Sequence, residues 1–187
     1  GDCSQQSYDR MWDRAMFDGR GTLLFDPNFS GNQGGLHGLG LTKTREELFE
    51  AMIESLTFEA RRILEGCRKI KKEDVSKVCV GGGAARSGKW MQLRADVWGC
   101  RVERMENIEV SSLGAAVLAA VKTGLYPGIR EASVHMLRTR DVYEPVPAVR
   151  ERYEEKYREY LAFVQSRTGA DLECDVLGKA VSGKAVL

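Results

Sequence analysis

The sequence predicts an α/β domain, and three observations point there. Short β-branched or apolar runs at 22–25, 74–80 and 101–105 alternate with longer stretches whose apolar residues recur at helical spacing. One of these runs feeds three consecutive glycines, Gly81, Gly82 and Gly83, and an amphipathic helix pattern opens directly behind them. The longer helical stretches carry recognisable start signals of their own.

Taken in order, residues 4–18 read as a short helix with Tyr8, Met11, Trp12, Ala15 and Met16 on one face. Gly19 and Gly21 end it, and 22–25 reads as a short buried strand. The glycine- and asparagine-rich stretch 26–40 is too long for a simple turn, which makes it a candidate functional loop. Thr44-Arg-Glu-Glu47 is a capping box, in which the threonine hydroxyl takes the Glu47 amide and the glutamate reaches back. The helix behind it is expected to run to about Gly66 and to bury Leu48, Met52 and Leu56, with Ala51 and Ile63 beside them. Glu54 and Glu59 then read as surface or interdomain charges. After the glycines a helix covers roughly 87–98, and 101–105 is the next strand. Ser111 and Ser112 start a helix of unusually small residues closed by Gly124, and Gly114, Ala115 and Ala116 suggest close packing. Pro147 sits well at the first position of a last helix, 148 to about 165, with Tyr153, Tyr157, Tyr160 and Val164 as a core stripe. His37 reads as solvent-facing and His135 as structural.

Composition narrows the possibilities. The 187 residues suit one sizeable domain, and 28 Lys and Arg against 27 Asp and Glu leave a formal net charge of +1. No basic stripe points to nucleic acid, and no apolar run approaches membrane-spanning length. The five cysteines, Cys3, Cys67, Cys79, Cys100 and Cys174, are odd in number and never in a Cys-x-x-Cys pair. That argues against a disulfide framework and against zinc, and suits a reducing cytoplasm. The abrupt opening Gly1-Asp2-Cys3-Ser4 suggests a segment of a longer protein.

The stretch Val78-Cys-Val-Gly-Gly-Gly-Ala-Ala-Arg-Ser-Gly-Lys-Trp-Met-Gln92 carries the chemistry. Glycines let backbone approach a ligand, while the unpaired amides and dipole of a helix start favour negative charge. Three nucleotide architectures share this grammar. Gly83 to Lys89 fits the phosphate-loop pattern G-x-x-x-x-G-K, but Trp90 stands where a magnesium-binding Ser or Thr is required. A dinucleotide fold would use Glu103 on a ribose, yet the glycine spacing is not G-x-G-x-x-G.

The third reading is a resemblance. The segment from Val80 to Gly99 resembles the adenosine-binding segment of the FGGY carbohydrate kinases. Glu109-Val-Ser-Ser-Leu-Gly-Ala-Ala is similar to the family's acidic residue followed by Ala-Leu-Gly-Ala-Ala. Gly34-Gly-Leu-His-Gly-Leu39, seven residues, then Glu47-Leu-Phe-Glu-Ala-Met-Ile-Glu54 matches its second signature. The resemblance implies a ribonuclease H-like domain of the actin and hexokinase type, here the later part of the C-terminal domain of a two-domain sugar kinase. It implies ATP with Mg as cofactors, a sugar or polyol substrate and an N-terminal sugar-binding domain as partner. By carry-over, Gly82, Gly83 and Ala84 would contact the adenosine and its α-phosphate, with Ser87 near the adenine or ribose and Gly81 and Arg86 as further candidates. No catalytic residue is carried over. Asp2 follows a glycine as the family's sugar-activating aspartate does, but too little chain separates it from Pro27. The stretch after Ser30 also lacks the family's Glu-Arg-x-Pro run. The domain is expected to span 1–166, with 167–187 as a tail. The competing class is a non-catalytic nucleotide-sensing or interaction module on the same actin-like fold.

Overall fold

The structure is a computed structural model and describes residues 5–28, 34–72, 74–107 and 109–168. Cys3, Cys174, Asp2, the stretch 29–33 and the tail from 169 lie outside the described residues. The elements run α1 (Gln5–Arg14), β1 (Leu24–Asp26), β2 (Gly35–His37), α2 (Arg45–Lys71), β3 (Lys77–Val80), α3 (Gly88–Trp98), β4 (Arg101–Met105), α4 (Val110–Lys122), α5 (Ile129–Met136), β5 (Thr139–Tyr143) and α6 (Pro147–Thr168). β1 and β2 form a short antiparallel ribbon, with Leu24 opposite His37. The main sheet has the order β3-β4-β5, β3 parallel and β5 antiparallel to β4. Three elements go beyond the sequence reading: the strand β2 inside the expected loop, and α5 and β5 before the last helix.

α3 is the centre of the molecule. Met91, Leu93, Ala95 and Val97 are buried, and the helix touches α2, α6, β4 and β5. Its two indoles dock on one residue of α2. Trp90 Nε1 donates to the Thr57 hydroxyl at 2.9 Å, and Trp98 Nε1 donates to the Thr57 carbonyl at 3.1 Å. Between them Arg94, only 8% exposed, lies over both rings, 4.4 Å and 5.7 Å from their centroids. Burial pushes the Arg94 guanidinium down to about 10. Asp96 ties the helix to the approach of α6, accepting from the Val146 amide at 2.7 Å.

The expected capping box of α2 is present, with Glu47 N donating to Thr44 Oγ1 and Thr44 N to Glu47 Oε2. The helix does not stop near Gly66; it continues to Lys71, where Lys72 takes the left-handed conformation. Its buried face also differs from the expected one. Met52, Leu56 and Ile63 are 45%, 44% and 60% exposed, while Phe49, Ile53 and Phe58 are buried. The reason is that polar side chains on the inner face find partners there. Glu54 is 3% exposed, pairs with Lys156 and accepts from the Tyr153 hydroxyl at 2.9 Å. Glu59 accepts from the Tyr160 hydroxyl at 2.7 Å, and Arg61 reaches the Val97 carbonyl, Glu65 and Glu154. Glu54 and Glu59 are therefore contacts between α2 and α6, not surface charges. The tyrosine stripe lies where it was expected: Tyr153, Tyr157 and Tyr160 surround Phe58 with centroids 6.2, 5.6 and 5.1 Å away. Burial, then the neighbouring carboxylates, push all three phenols well above their ordinary value.

Removing one partner of a buried pair strands the other charge, at a cost of about 3–5 kcal/mol. Lys156→Met is expected to lower unfolding stability on that scale in urea. Adding Glu54→Gln to it should restore much of the loss, and an equal or larger loss in the double variant would contradict the pairing. The exposed end of α2 gives a pH test. Hydrogen bonds from Lys43 and from the Thr44 backbone hold the Glu47 carboxyl down to about 2, against 4.5 ordinarily. A folded-state value below the unfolded one contributes stability that is complete above about 4.5 and lost as pH falls toward about 2. Glu47→Gln should flatten that part of the profile of thermal midpoint against pH.

Candidate functional site

The candidate site is the turn between β3 and α3. Gly81 packs against the start of α4: a Cβ there would lie 2.1 Å from Val110 Cγ1. Gly82 has φ +82° and ψ −179°, a region open essentially to glycine alone. Gly83 begins a single 3₁₀ turn through Ala85, closed by Ala85 N donating to Gly82 O at 3.0 Å and Arg86 N to Gly83 O at 3.2 Å. Ala85 is fully buried and anchors the turn, whereas a Cβ at Gly83 would meet nothing within 4 Å. Ser87 caps α3, its Oγ accepting from the Trp90 amide at 3.3 Å. Arg86 is exposed. The six candidate residues thus form one continuous turn with an open outer surface at Gly83 and a fixed inner one at Ala85.

Neighbouring residues settle the two competing readings. Lys89, the lysine of the phosphate-loop pattern, donates to the carbonyls of Trp12, Asp13 and Ala15 at 2.8, 2.7 and 3.1 Å. An ammonium has three donors, and here they close the C-terminal end of α1. This role was not anticipated from the sequence, where Lys89 entered only as the lysine of the phosphate-loop pattern. Glu103 is 6% exposed and accepts from Lys77 at 3.3 Å, Arg101 at 3.0 Å and Thr139 at 3.1 Å. Burial pushes its carboxyl up, but these hydrogen bonds outweigh it and hold the group below its ordinary value. A carboxylate so engaged is not presented to a ribose.

Around the turn, α4 departs from its expected packing. Gly114, Ala115 and Ala116 are exposed, and a Cβ at Gly114 meets nothing within 4 Å. Val117 and Ala120 are the residues α4 buries, and the helix packs against α5. One turn along from Val110, Leu113 lines a cavity of about 320 Å³ with Met105, Glu106, Asn107, Met136 and Arg138. The cavity could not be read from the sequence because α5 gave no signal. His37 is exposed beside Phe163 at 5.4 Å, and His135 stacks on Tyr126 at 5.6 Å. The three described cysteines, Cys67, Cys79 and Cys100, are free thiols. Among the described residues, no helix is long and apolar enough to cross a membrane, and no group of three or more His, Cys, Asp or Glu could hold a metal ion.

A strand, an open glycine turn and a capped helix, backed by long helices on one sheet, define part of a mixed α/β domain. The model of the FGGY family of carbohydrate kinases, C-terminal domain, matches residues 14–123. The chain belongs to that family. It is 32% identical over 155 residues to the L-xylulose/3-keto-L-gulonate kinase of Escherichia coli, covering 80% of this chain and 31% of that protein. Among solved structures it is similar to the gluconate kinase of Lactobacillus acidophilus, with a TM-score of 0.73, 21% identity, and 92% of this chain and 36% of that one covered. It is also similar to Plasmodium falciparum glycerol kinase with ADP, with a TM-score of 0.71, 19% identity, and 88% and 34% covered. The chain spans between 22% and 31% of the length of the glycerol and xylulose kinases it matches.

The glycines separate fold from ligand. Gly82→Ala is expected to cost about 1–3 kcal/mol through backbone strain. Gly83→Ala should change stability by about 0.5 kcal/mol or less. Urea unfolding of the two variants checks this, and equal losses would mean that the turn is not shaped as described.

Proposed function

We propose that this chain is the ATP-binding C-terminal part of a carbohydrate kinase that transfers a phosphoryl group from MgATP to a sugar or polyol hydroxyl. One observation carries the reading. In a chain of this family, the turn at Gly82, Gly83 and Ala84 presents open backbone at the start of a buried helix, a shape that admits an adenosine and its first phosphate. ATP supplies the transferable phosphoryl group. The protein's contribution is position, charge and exclusion of water.

In this reading Gly82, Gly83 and Ala84 hold the adenosine, Ser87 lies at the adenine or ribose, and Gly81 and Arg86 shape the rim. The groups that activate the sugar hydroxyl and hold magnesium belong to the rest of the full-length protein, which would work in the cytoplasm. An N-terminal sugar-binding domain would close over the turn and complete the site. Two surfaces support a covering partner: the exposed apolar side chains of Met52, Leu56 and Ile63 on α2, and the free edge of β3 among the described residues. The domain would span 1–166, with 167–187 as its tail.

The isolated chain is then expected to bind ADP weakly and to show no kinase activity. In an NMR titration, ADP should move the amide signals of Gly82, Gly83 and Ala84. Gly83→Phe, which fills the open surface, should weaken binding at least about tenfold, equivalent to about 1.4 kcal/mol. Its unfolding midpoint should stay unchanged. A coupled ADP-release assay with pentuloses, hexuloses and glycerol completes the test, and robust turnover by the chain alone would overturn the assignment of this part.

A further inference from the structure

We propose that Arg104, held by Asp141, is a positioning residue that fixes the glycine turn in its nucleotide-accepting shape. The proposal rests on the nucleotide reading above and names the device that maintains it. Arg104 lies on β4, the central strand, with Val80 opposite it on β3 and Asp141 opposite it on β5. Its Cα is therefore set by ladders on both sides, one residue in register from the start of the glycines. From there the guanidinium extends to the turn. Nη1 donates to the carbonyls of Ala85 and Arg86, both at 3.3 Å. Nε donates to Asp141 Oδ2 at 2.6 Å, and Nη2 donates to the same oxygen. The Tyr143 ring, 5.8 Å away, closes another side.

This geometry does more than join two strands. A guanidinium is a planar fork, so fixing Nε and Nη2 on a carboxylate fixes the direction of Nη1 as well. Nη1 then holds two successive carbonyls toward the sheet. Because the peptide unit is planar and trans, the amide of Ser87 is anti to the Arg86 carbonyl and points away from the guanidinium. The inner side of the turn is thus bound by Arg104 and the buried Ala85, and the outer side at Gly83 is left open. Nothing else among the described hydrogen bonds holds the Ala85 and Arg86 carbonyls from the sheet. A lysine at 104 could not both pair with Asp141 and hold two carbonyls, since its ammonium is a point charge on a flexible stem.

The experiment is an NMR study of the 187-residue chain and its Arg104→Met and Arg104→Lys variants, with amide exchange and ADP titration measured on the same samples. In Arg104→Met, the amides of Ala85 and Arg86 should exchange faster while that of Val97 on α3 is unchanged. ADP should bind about tenfold more weakly, with the lysine variant between it and the parent chain. If Arg104→Met does not fold, the lysine variant carries the comparison. Faster exchange with unaltered ADP affinity would overturn the proposal, because the brace would then be structural only. Unchanged exchange and unchanged affinity would overturn it too. ADP failing to move the Gly82, Gly83 and Ala84 signals in the parent chain would instead overturn the nucleotide reading, and the positioning role with it.

Discussion

Everything in this molecule is arranged around the burial of α3. A helix buried from Leu93 to Trp98 needs its polar groups satisfied from neighbours, and the neighbours are chosen accordingly. Thr57 of α2 receives both indoles, the Val97 carbonyl accepts from Arg61, and Asp96 receives the amide that leads into α6. Since buried polar groups that lack partners are costly, these contacts leave α3 little freedom to shift or rotate. The functional consequence follows at its first turn. If α3 cannot move, the Ser87 cap and the glycines before it are held relative to the sheet. In the nucleotide reading proposed above, a rigid helix start would let a few backbone amides act as a binding surface.

The parts that could be read from the sequence are those decided locally. The capping box at Thr44, the glycine turn and the small-residue helix α4 depend on residues within a few positions of each other. The tyrosine stripe of α6 also follows from spacing alone. What could not be read depends on distant partners. Glu54 belongs inside because Tyr153 and Lys156, 99 and 102 residues later, receive it. Without that knowledge, the helical period placed Met52 and Leu56 inward and the glutamates outward. Lys89 is similar: its acceptors on and after α1 lie 74 to 77 residues earlier. A motif places a residue type, but the fold decides whether its donors are available to a ligand.

The candidate site divides along the same line. Gly81, Gly82 and Gly83 could be singled out from composition and order, although their tasks differ. Gly81 makes room for Val110, Gly82 supplies a backbone conformation, and Gly83 leaves space. Arg104 and Asp141 carried no signal, because a charged pair across adjacent strands resembles any solvated sheet surface. β5 itself, Thr-Arg-Asp-Val-Tyr, has too few apolar residues to stand out as a strand.

The edge that β3 leaves free among the described residues and the apolar ridge on α2 have a practical consequence for anyone handling this chain by itself. Among the described residues β3 is an edge strand, and the backbone groups of an edge strand form a template for another strand. The ridge of Met52, Leu56 and Ile63 is adhesive in the same way. In the chain by itself these surfaces favour self-association over a dispersed monomer, and concentration becomes a variable in every measurement on it.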